Sequence, residues 1–236
     1  CAGRMTPAEA SRAIKNGDID AMGVARQFLT DPLWVTKLKE DRLEDIMPCI
    51  CCHNGCFPMA HYKGVACDAT MEDSAHMARC ALNPQMMDGG KYDFKPAKKR
   101  KTIAIIGGGI GGMEVARVAT MRGHKAIIYE KSDHLGGVFV PAAAPSFKEK
   151  DRQLIAWYLR QMKELNIEIH LNSEVRNIKE IWADEIVIAT GSTPRKLKIH
   201  GGNKAIDALD YLSGASVGNR VAVIGGGLTG CEIAYD

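Results

Sequence analysis

Six of the eight cysteines lie between residues 49 and 80: Cys49, Cys51, Cys52, Cys56, Cys67 and Cys80. The spacing Cys49-x-x-Cys52-x-x-x-Cys56 places three thiolates in one short loop, where they can cap three corners of a single metal or cluster. A fourth ligand would come from Cys67 or Cys80. Cys51, inside the C-x-x-C, is expected to point away. His53 and His61 read as surface or supporting residues and not as ligands. Four thiolates suit zinc, the plainer reading, or an iron–sulfur cluster, which moves single electrons. A disulfide framework belongs to short secreted domains, so clustered thiols in a chain of this size point to metal and to the cytoplasm.

The second group of chemistry-bearing residues is glycine. Gly107-Gly108-Gly109-Ile110-Gly111-Gly112 follows a β-branched run and opens a helical one. In a dinucleotide turn Gly107 allows the tight bend, Gly109 lets backbone approach a pyrophosphate, and Gly112 lets helix and strand pack closely. The helix N-terminus adds unpaired N–H groups and a dipole that favours phosphate. Glu130 ends the next strand 18 residues after Gly112, placed to accept hydrogen bonds from ribose hydroxyls. A second motif of the same kind, Gly225-Gly226-Gly227-Leu228-Thr229-Gly230, starts 118 residues after the first. Two dinucleotides on one chain make chemical sense if one passes hydride to the other.

The elements that must position these residues follow from periodicity and caps. Thr6-Pro7-Ala8-Glu9 predicts a helix start with a capping box, and Gly17 its end. A short strand is expected over Asp20–Ala25, and Asp31-Pro32 is expected to cap a second helix running to about Glu40. Thr102–Ile106, a helix over Gly112–Arg122 and His124–Glu130 make a βαβ unit. A helix over 150–165 and strands Ile167–Leu171, Glu185–Ala189 and Arg220–Ile224 complete the outline.

Of 236 residues, 46% are apolar and 25% charged, ordinary values for a soluble globular protein, and no apolar run has the roughly 18 residues a membrane helix needs. Lys and Arg total 31 against 28 for Asp and Glu, a net +3. The run Lys91–Lys101 alone holds +5, which reads as a solvated linker and leaves no basic face for nucleic acid. Too few residues follow Gly230 to complete a nucleotide-binding unit, so the chain reads as a piece of a longer protein.

Taken in order, these motifs resemble the iron–sulfur flavoenzymes related to 2,4-dienoyl-CoA reductase, 2-enoate reductase and trimethylamine dehydrogenase, over Gly3 to Glu232. Cys80-Ala81-Leu82-Asn83-Pro84 resembles the C-x-x-N-P that closes the cluster motif there. That makes Cys49, Cys52, Cys56 and Cys80 the implied ligands of a 4Fe-4S cluster, although the 23 residues between Cys56 and Cys80 exceed the family's usual gap. Glu130-Lys131 with Gly136-Gly137, and Ala189-Thr190-Gly191, resemble FAD-binding segments. Gly225, Gly227 and Gly230 would hold NADH or NADPH, the choice resting on a side chain beyond Asp236. Gly3-Arg4 and Gly23-Val24-Ala25-Arg26 look like the last phosphate loops of an Old Yellow Enzyme-like (β/α)8 barrel, with Arg26 on the FMN phosphate.

The resemblance implies an α/β architecture: a barrel end over 1–47, an iron–sulfur segment over 48–90, a basic linker over 91–101, a Rossmann-like FAD domain over 102–217 and the start of an NAD(P) domain over 218–236. It implies electron flow from NAD(P)H through FAD and the cluster to FMN, which reduces an activated C=C bond in a small molecule. The residues that bind substrate and donate the proton would belong to the missing part of the barrel. Two other readings keep the motifs: an amine dehydrogenase, and a non-catalytic electron-transfer subunit. A homo-oligomer is compatible with all three. Expressed alone, an incomplete barrel with open strand edges is expected to be poorly soluble.

Overall fold

A β-branched run forms a strand only where a neighbouring chain completes its hydrogen bonds, and the centre of this protein is built that way. The computed structural model describes residues 5–56, 78–86, 90–196 and 198–236. It divides into two compact units, Cys1–Asp93 and Phe94–Asp236.

In the first unit, helix α1 (Pro7–Asn16) begins with the expected capping box: the Thr6 hydroxyl accepts from the Glu9 amide while the Glu9 carboxylate accepts from Thr6 N–H at 2.7 Å. Gly17 ends it in the left-handed conformation at φ 78°. Asp20–Ala25 is not a regular strand; Gly23 makes one isolated bridge and the rest is irregular. Four apolar side chains, two of them Ala, among Asp and Gly are weak strand formers without a full ladder partner. A short helix that was not expected, α2 (Arg26–Thr30), comes next, and the helix expected after Asp31-Pro32 is the short α3 (Trp34–Lys39). The buried Asp31 carboxylate does not sit at the α3 N-cap, which is Leu33, yet it accepts from the Leu33 amide at 3.2 Å.

The second unit is a parallel four-stranded sheet in the order β3-β2-β1-β4, formed by β1 (Thr102–Ile106), β2 (Lys125–Tyr129), β3 (Glu168–His170) and β4 (Glu185–Ile188). Thr102 lies opposite Lys125, and Ile103 opposite Glu185. Helix α4 (Ile110–Met121) joins β1 to β2, α5 (Phe139–Ala142) follows, and α6 (Glu149–Glu164) leads to β3. The α6 residues Leu154, Trp157, Tyr158 and Met162 are all buried, one apolar stripe at helical spacing. Together with Ile105, Ile128 and Met113 they make the core.

The basic run is partly docked and not free. Arg122 Nε donates to the Lys95 carbonyl at 3.1 Å, and Ala97 N–H donates to the Arg122 carbonyl at 2.8 Å. The buried Arg117 guanidinium lies over the Phe94 and Trp157 rings and makes a bidentate pair with Glu114 at 2.8 Å. Lys98, Lys99 and Arg100 remain exposed or nearly so. Two further helices, α7 (Ala208–Leu212) and α8 (Leu228–Tyr235), close the unit. Arg220–Ile224 pairs with no strand among the described residues, and Val221, Val223 and Ile224 are exposed. No helix among the described residues is long and apolar enough to cross a membrane.

Candidate functional site

The first glycine turn joins β1 to α4 and is as tight as its sequence requires. Gly107 has φ 109°, and a Cβ there would lie 2.4 Å from the Ala189 carbonyl oxygen. A Cβ on Gly112 would lie 1.9 Å from the Gly107 oxygen. A Cβ on Gly109 would meet nothing within 4 Å. Gly109 therefore borders open space at the N-terminus of α4, with no side-chain cap, where a phosphate can approach the amides. Gly136 and Gly137 close one side: Gly136 N–H donates to the Gly108 carbonyl at 2.9 Å and Gly136 bridges Gly109. Ala189 and Thr190 lie against Gly107, so the three segments expected around FAD meet at one turn.

Glu130 stands at the end of β2 with its carboxylate buried. One oxygen accepts from Gly108 N–H at 2.6 Å; the other accepts from the Ser132 amide and hydroxyl, both at 2.9 Å. Burial alone would push this carboxyl up, but the Gly108 and Ser132 hydrogen bonds outweigh it and hold the group below the usual range. The carboxylate is thus charged and aimed before any ligand arrives, with lone pairs left for ribose hydroxyls. Lys131 is exposed beside it. Ser132 was not visible as a site residue from sequence, because a serine two positions after an acid carries no signal until the loop folds back.

The second turn repeats the first in detail. Gly225 has φ 112°, and Gly227 caps α8 at φ −75°, ψ −179°, against −70° and −177° for Gly109 at α4. A Cβ on Gly230 would lie 2.0 Å from the Gly225 oxygen, matching Gly112. The second turn thus has the backbone shape of the first.

The cysteines gather in the first unit. Cys49, Cys52, Cys56 and Cys80 line one pocket, together with Thr30 and Arg26. Cys51 lines it too, contrary to the expectation that it faces away: its left-handed backbone, φ 56°, turns the thiol to the Cys49 carbonyl at 3.7 Å. Cys67 and His61 lie outside the described residues. The pocket wall is held by residues the sequence did not flag. Gln27 receives Cys49 N–H at 3.0 Å and donates to the Met47 carbonyl at 2.7 Å. Asp31 accepts from Met47 N–H at 3.0 Å and pairs with Lys37 at 2.7 Å. Asn83, the asparagine of the C-x-x-N-P string, donates to the Leu29 carbonyl at 2.8 Å and so ties the Cys80 loop to α2. Thr30 Oγ1 lies 3.7 Å from Cys80 Sγ. Burial pushes the Cys49 thiol up, against hydrogen bonds from the Cys51 amide and the Thr30 hydroxyl. Among the described residues no three His, Cys, Asp or Glu side chains converge on a point that could hold one metal ion.

Of the residues expected at FMN, Gly3 and Arg4 lie outside the described ones. Ala25 caps α2, Gly23 precedes it, and the Arg26 guanidinium meets His53 Nε2 at the rim of the cysteine pocket. His53 itself is exposed.

Comparison with known proteins agrees with this geometry. The pyridine nucleotide-disulphide oxidoreductase family matches residues 89–181 and 177–236. Cinnamate reductase of Clostridium sporogenes is 42% identical over 99% of this chain and 34% of its own length. NADH oxidase of Thermoanaerobacter brockii is 33% identical over 97% of this chain and 35% of its own length. A structure of 2-naphthoyl-CoA reductase with 2-naphthoyl-CoA superposes with a TM-score of 0.79 at 33% identity, over 91% of this chain and 32% of that one. The chain spans about a third of the length of these relatives. It belongs to the pyridine nucleotide-disulphide oxidoreductase family, in the branch of the iron–sulfur flavoenzymes related to 2,4-dienoyl-CoA reductase.

Proposed function

We propose that this chain is the electron-carrying portion of an NAD(P)H-dependent oxidoreductase that reduces an activated C=C bond of enoate or enoyl-CoA type. The observation that carries the reading is the pair of matching glycine turns, one of them with a charged, preoriented carboxylate beside it, on a chain that also gathers five cysteines in one pocket.

The residues that would hold each group implied by the family can be named. Gly107, Gly109, Gly112, Glu130, Lys131, Gly136, Gly137, Ala189, Thr190 and Gly191 would hold FAD; Gly225, Gly227 and Gly230 would hold NADH or NADPH. Cys49, Cys52, Cys56 and Cys80 line one pocket and would hold a 4Fe-4S cluster, whose single-electron chemistry suits a chain that also carries flavin motifs. Gly3, Arg4, Gly23, Ala25 and Arg26 would meet an FMN phosphate at the end of a barrel. The cofactors supply the redox chemistry; the chain supplies their position and local charge. Its own tasks would be to offer a fixed carboxylate to a ribose, helix N-termini to phosphates and a braced loop to thiolates.

The test uses the full-length protein, purified anaerobically. Iron, acid-labile sulfide and flavin are measured first; zinc in place of iron would sink the cluster reading. NADH and NADPH oxidation is then followed against enoates, enoyl-CoA thioesters, unsaturated steroid acids and an amine panel. Cinnamate and aryl-CoA esters head the list, since the relatives named for these substrates are among the most similar. Reduction of no alkene in the panel would overturn the ene-reductase reading, and oxidation of an amine instead would favour the dehydrogenase one.

A further inference from the structure

The stretch 143–148 leads from α5 into α6 and touches both halves of the second unit. Arg152, in the first turn of α6, holds it: its guanidinium donates to the carbonyls of Ala143 at 2.6 Å, Pro145 at 2.7 Å and Ser146 at 2.9 Å. A planar donor fork that engages several carbonyls at once leaves little freedom to the turn between them. The two residues beyond that turn reach α8. Lys148 Nζ pairs with Glu232 Oε1 at 2.8 Å, with the two side chains only 25% and 30% exposed. Phe147 meets Tyr235 edge-on, ring centroids 5.5 Å apart. Glu232 and Tyr235 are three residues apart on one helix, so they share a face and are gripped together.

That grip matters because α8 begins at the second glycine turn and because Arg220–Ile224, which precedes the turn, pairs with no strand among the described residues. The first turn is held by a ladder on both sides of β1. At the second, these side chains reach α8 from one side, while α7 packs against it and Tyr211 Oη donates to the Asp236 carboxylate at 3.3 Å. There is an electrostatic consequence as well. Glu232 lies just past the first turn of α8, where an uncompensated carboxylate would oppose an incoming pyrophosphate; Lys148 neutralises it.

We propose that Phe147 and Lys148, fixed by Arg152, are positioning residues that dock α8 and so aim the nicotinamide-site turn at the flavin-site turn. This rests on the assignment of the two turns made under Proposed function. These residues need touch neither cofactor; they set where one donor lies relative to its acceptor. Hydride transfer is steep in that distance, so a loosened dock lowers the transfer rate more than it lowers flavin content.

The experiment uses the full-length flavoprotein with Lys148→Met, Glu232→Gln, Lys148→Arg and the charge exchange Lys148→Glu with Glu232→Lys. Two readouts are taken: the rate of flavin bleaching by NADH or NADPH under anaerobic rapid mixing, and amide hydrogen exchange over residues 225–235. Each neutralising variant is expected to bleach about ten- to a hundredfold more slowly, with unchanged flavin content and faster exchange confined to 225–235. Lys148→Arg and the charge exchange should recover most of both. Native bleaching and native protection in the neutralising variants would overturn the proposal, as would an exchange double no better than the singles. If Lys148→Met does not fold, Phe147→Leu, which removes only the ring contact, carries the same two readouts. A wild-type flavin that neither nicotinamide bleaches would overturn the functional reading instead, and the exchange comparison would still decide the dock.

Discussion

At the scale of single residues, Glu130 shows how a binding group is prepared. Its carboxylate takes three donors from Gly108 and Ser132 within the apoprotein. An amide in its place presents an NH2 group to at least one of those donors. Glu130→Gln is therefore expected to cost about 1–3 kcal/mol and to lower flavin content, read by thermal unfolding and by absorbance. The sign of the pH effect follows from the lowered pKa: the stabilisation is complete above the ordinary carboxylate range and fades as pH falls through the folded-state value. The gap in melting temperature between wild type and Glu130→Gln should accordingly shrink in acid; a constant gap would refute the account. The two glycines flanking this site make a sharper pair. Gly112→Ala forces a Cβ into the Gly107 carbonyl and should lower stability by about 1–3 kcal/mol or more along with flavin. Gly109→Ala meets open space and should melt like wild type while losing flavin, because its methyl occupies the ground a pyrophosphate needs. These glycines and Glu130 were legible in the sequence, since each is demanded by a local backbone shape. Ser132, Gln27 and Thr30 were not. Their work depends on chain segments that only folding brings near.

Among the elements, those with local causes were the readable ones. The α1 boundaries follow from Thr6, Pro7, Glu9 and Gly17, and the structure shows each acting as its chemistry predicts. The strands β1 to β4 fall within a residue or so of their expected places; β1 and β2 do so because burial on both faces leaves a nearly unbroken apolar run, while the edge strands β3 and β4 carry shorter apolar signals and stay partly exposed. Asp20–Ala25 and Arg220–Ile224 carry similar runs without a ladder in the described chain. Hydrogen-bonded pairing, which no single segment encodes, decided them. Leu33 caps α3; Asp31 is not the cap the sequence led one to expect. Its carboxylate serves three groups at once: the amides of Leu33 and Met47 and the Lys37 ammonium. Asp31→Asn is expected to destabilise the first unit by about 1–3 kcal/mol and to lower the iron content, since Met47 leads directly to Cys49. Iron stoichiometry equal to wild type would show that the Met47–Cys49 segment does not need this brace.

For the whole molecule, the division between Asp93 and Phe94 puts the cysteine pocket and the first glycine turn in different units. Replacing Cys52 or Cys56 by serine should remove iron while the flavin held at Gly107–Gly112 stays; simultaneous loss of both in soluble, folded protein would contradict separate binding. The division could be anticipated only in outline. The basic run marks the boundary by composition, yet Phe94 and Ala97 already belong to the second unit because Arg117 and Arg122 hold them there. A charge count registers the lysines of that run and not the ring and carbonyls that dock it.

The near-identity of the two glycine turns has a consequence for refolding kinetics. Thr102–Ile106 and Arg220–Ile224 are both short β-branched runs that feed the same bend, so either can present itself to β2 in an unfolded chain. The correct partner lies about a quarter as far along the sequence, and two doublings of loop length cost only about 1.2 kcal/mol of closure entropy. Proximity thus favours the native pairing by roughly a factor of eight before any side chain is buried. A minority of molecules should begin with the wrong strand in the central position and must release it. Refolding from denaturant is expected to show a slow phase of modest amplitude that disappears when Val221 and Val223 are replaced by threonine and aspartate.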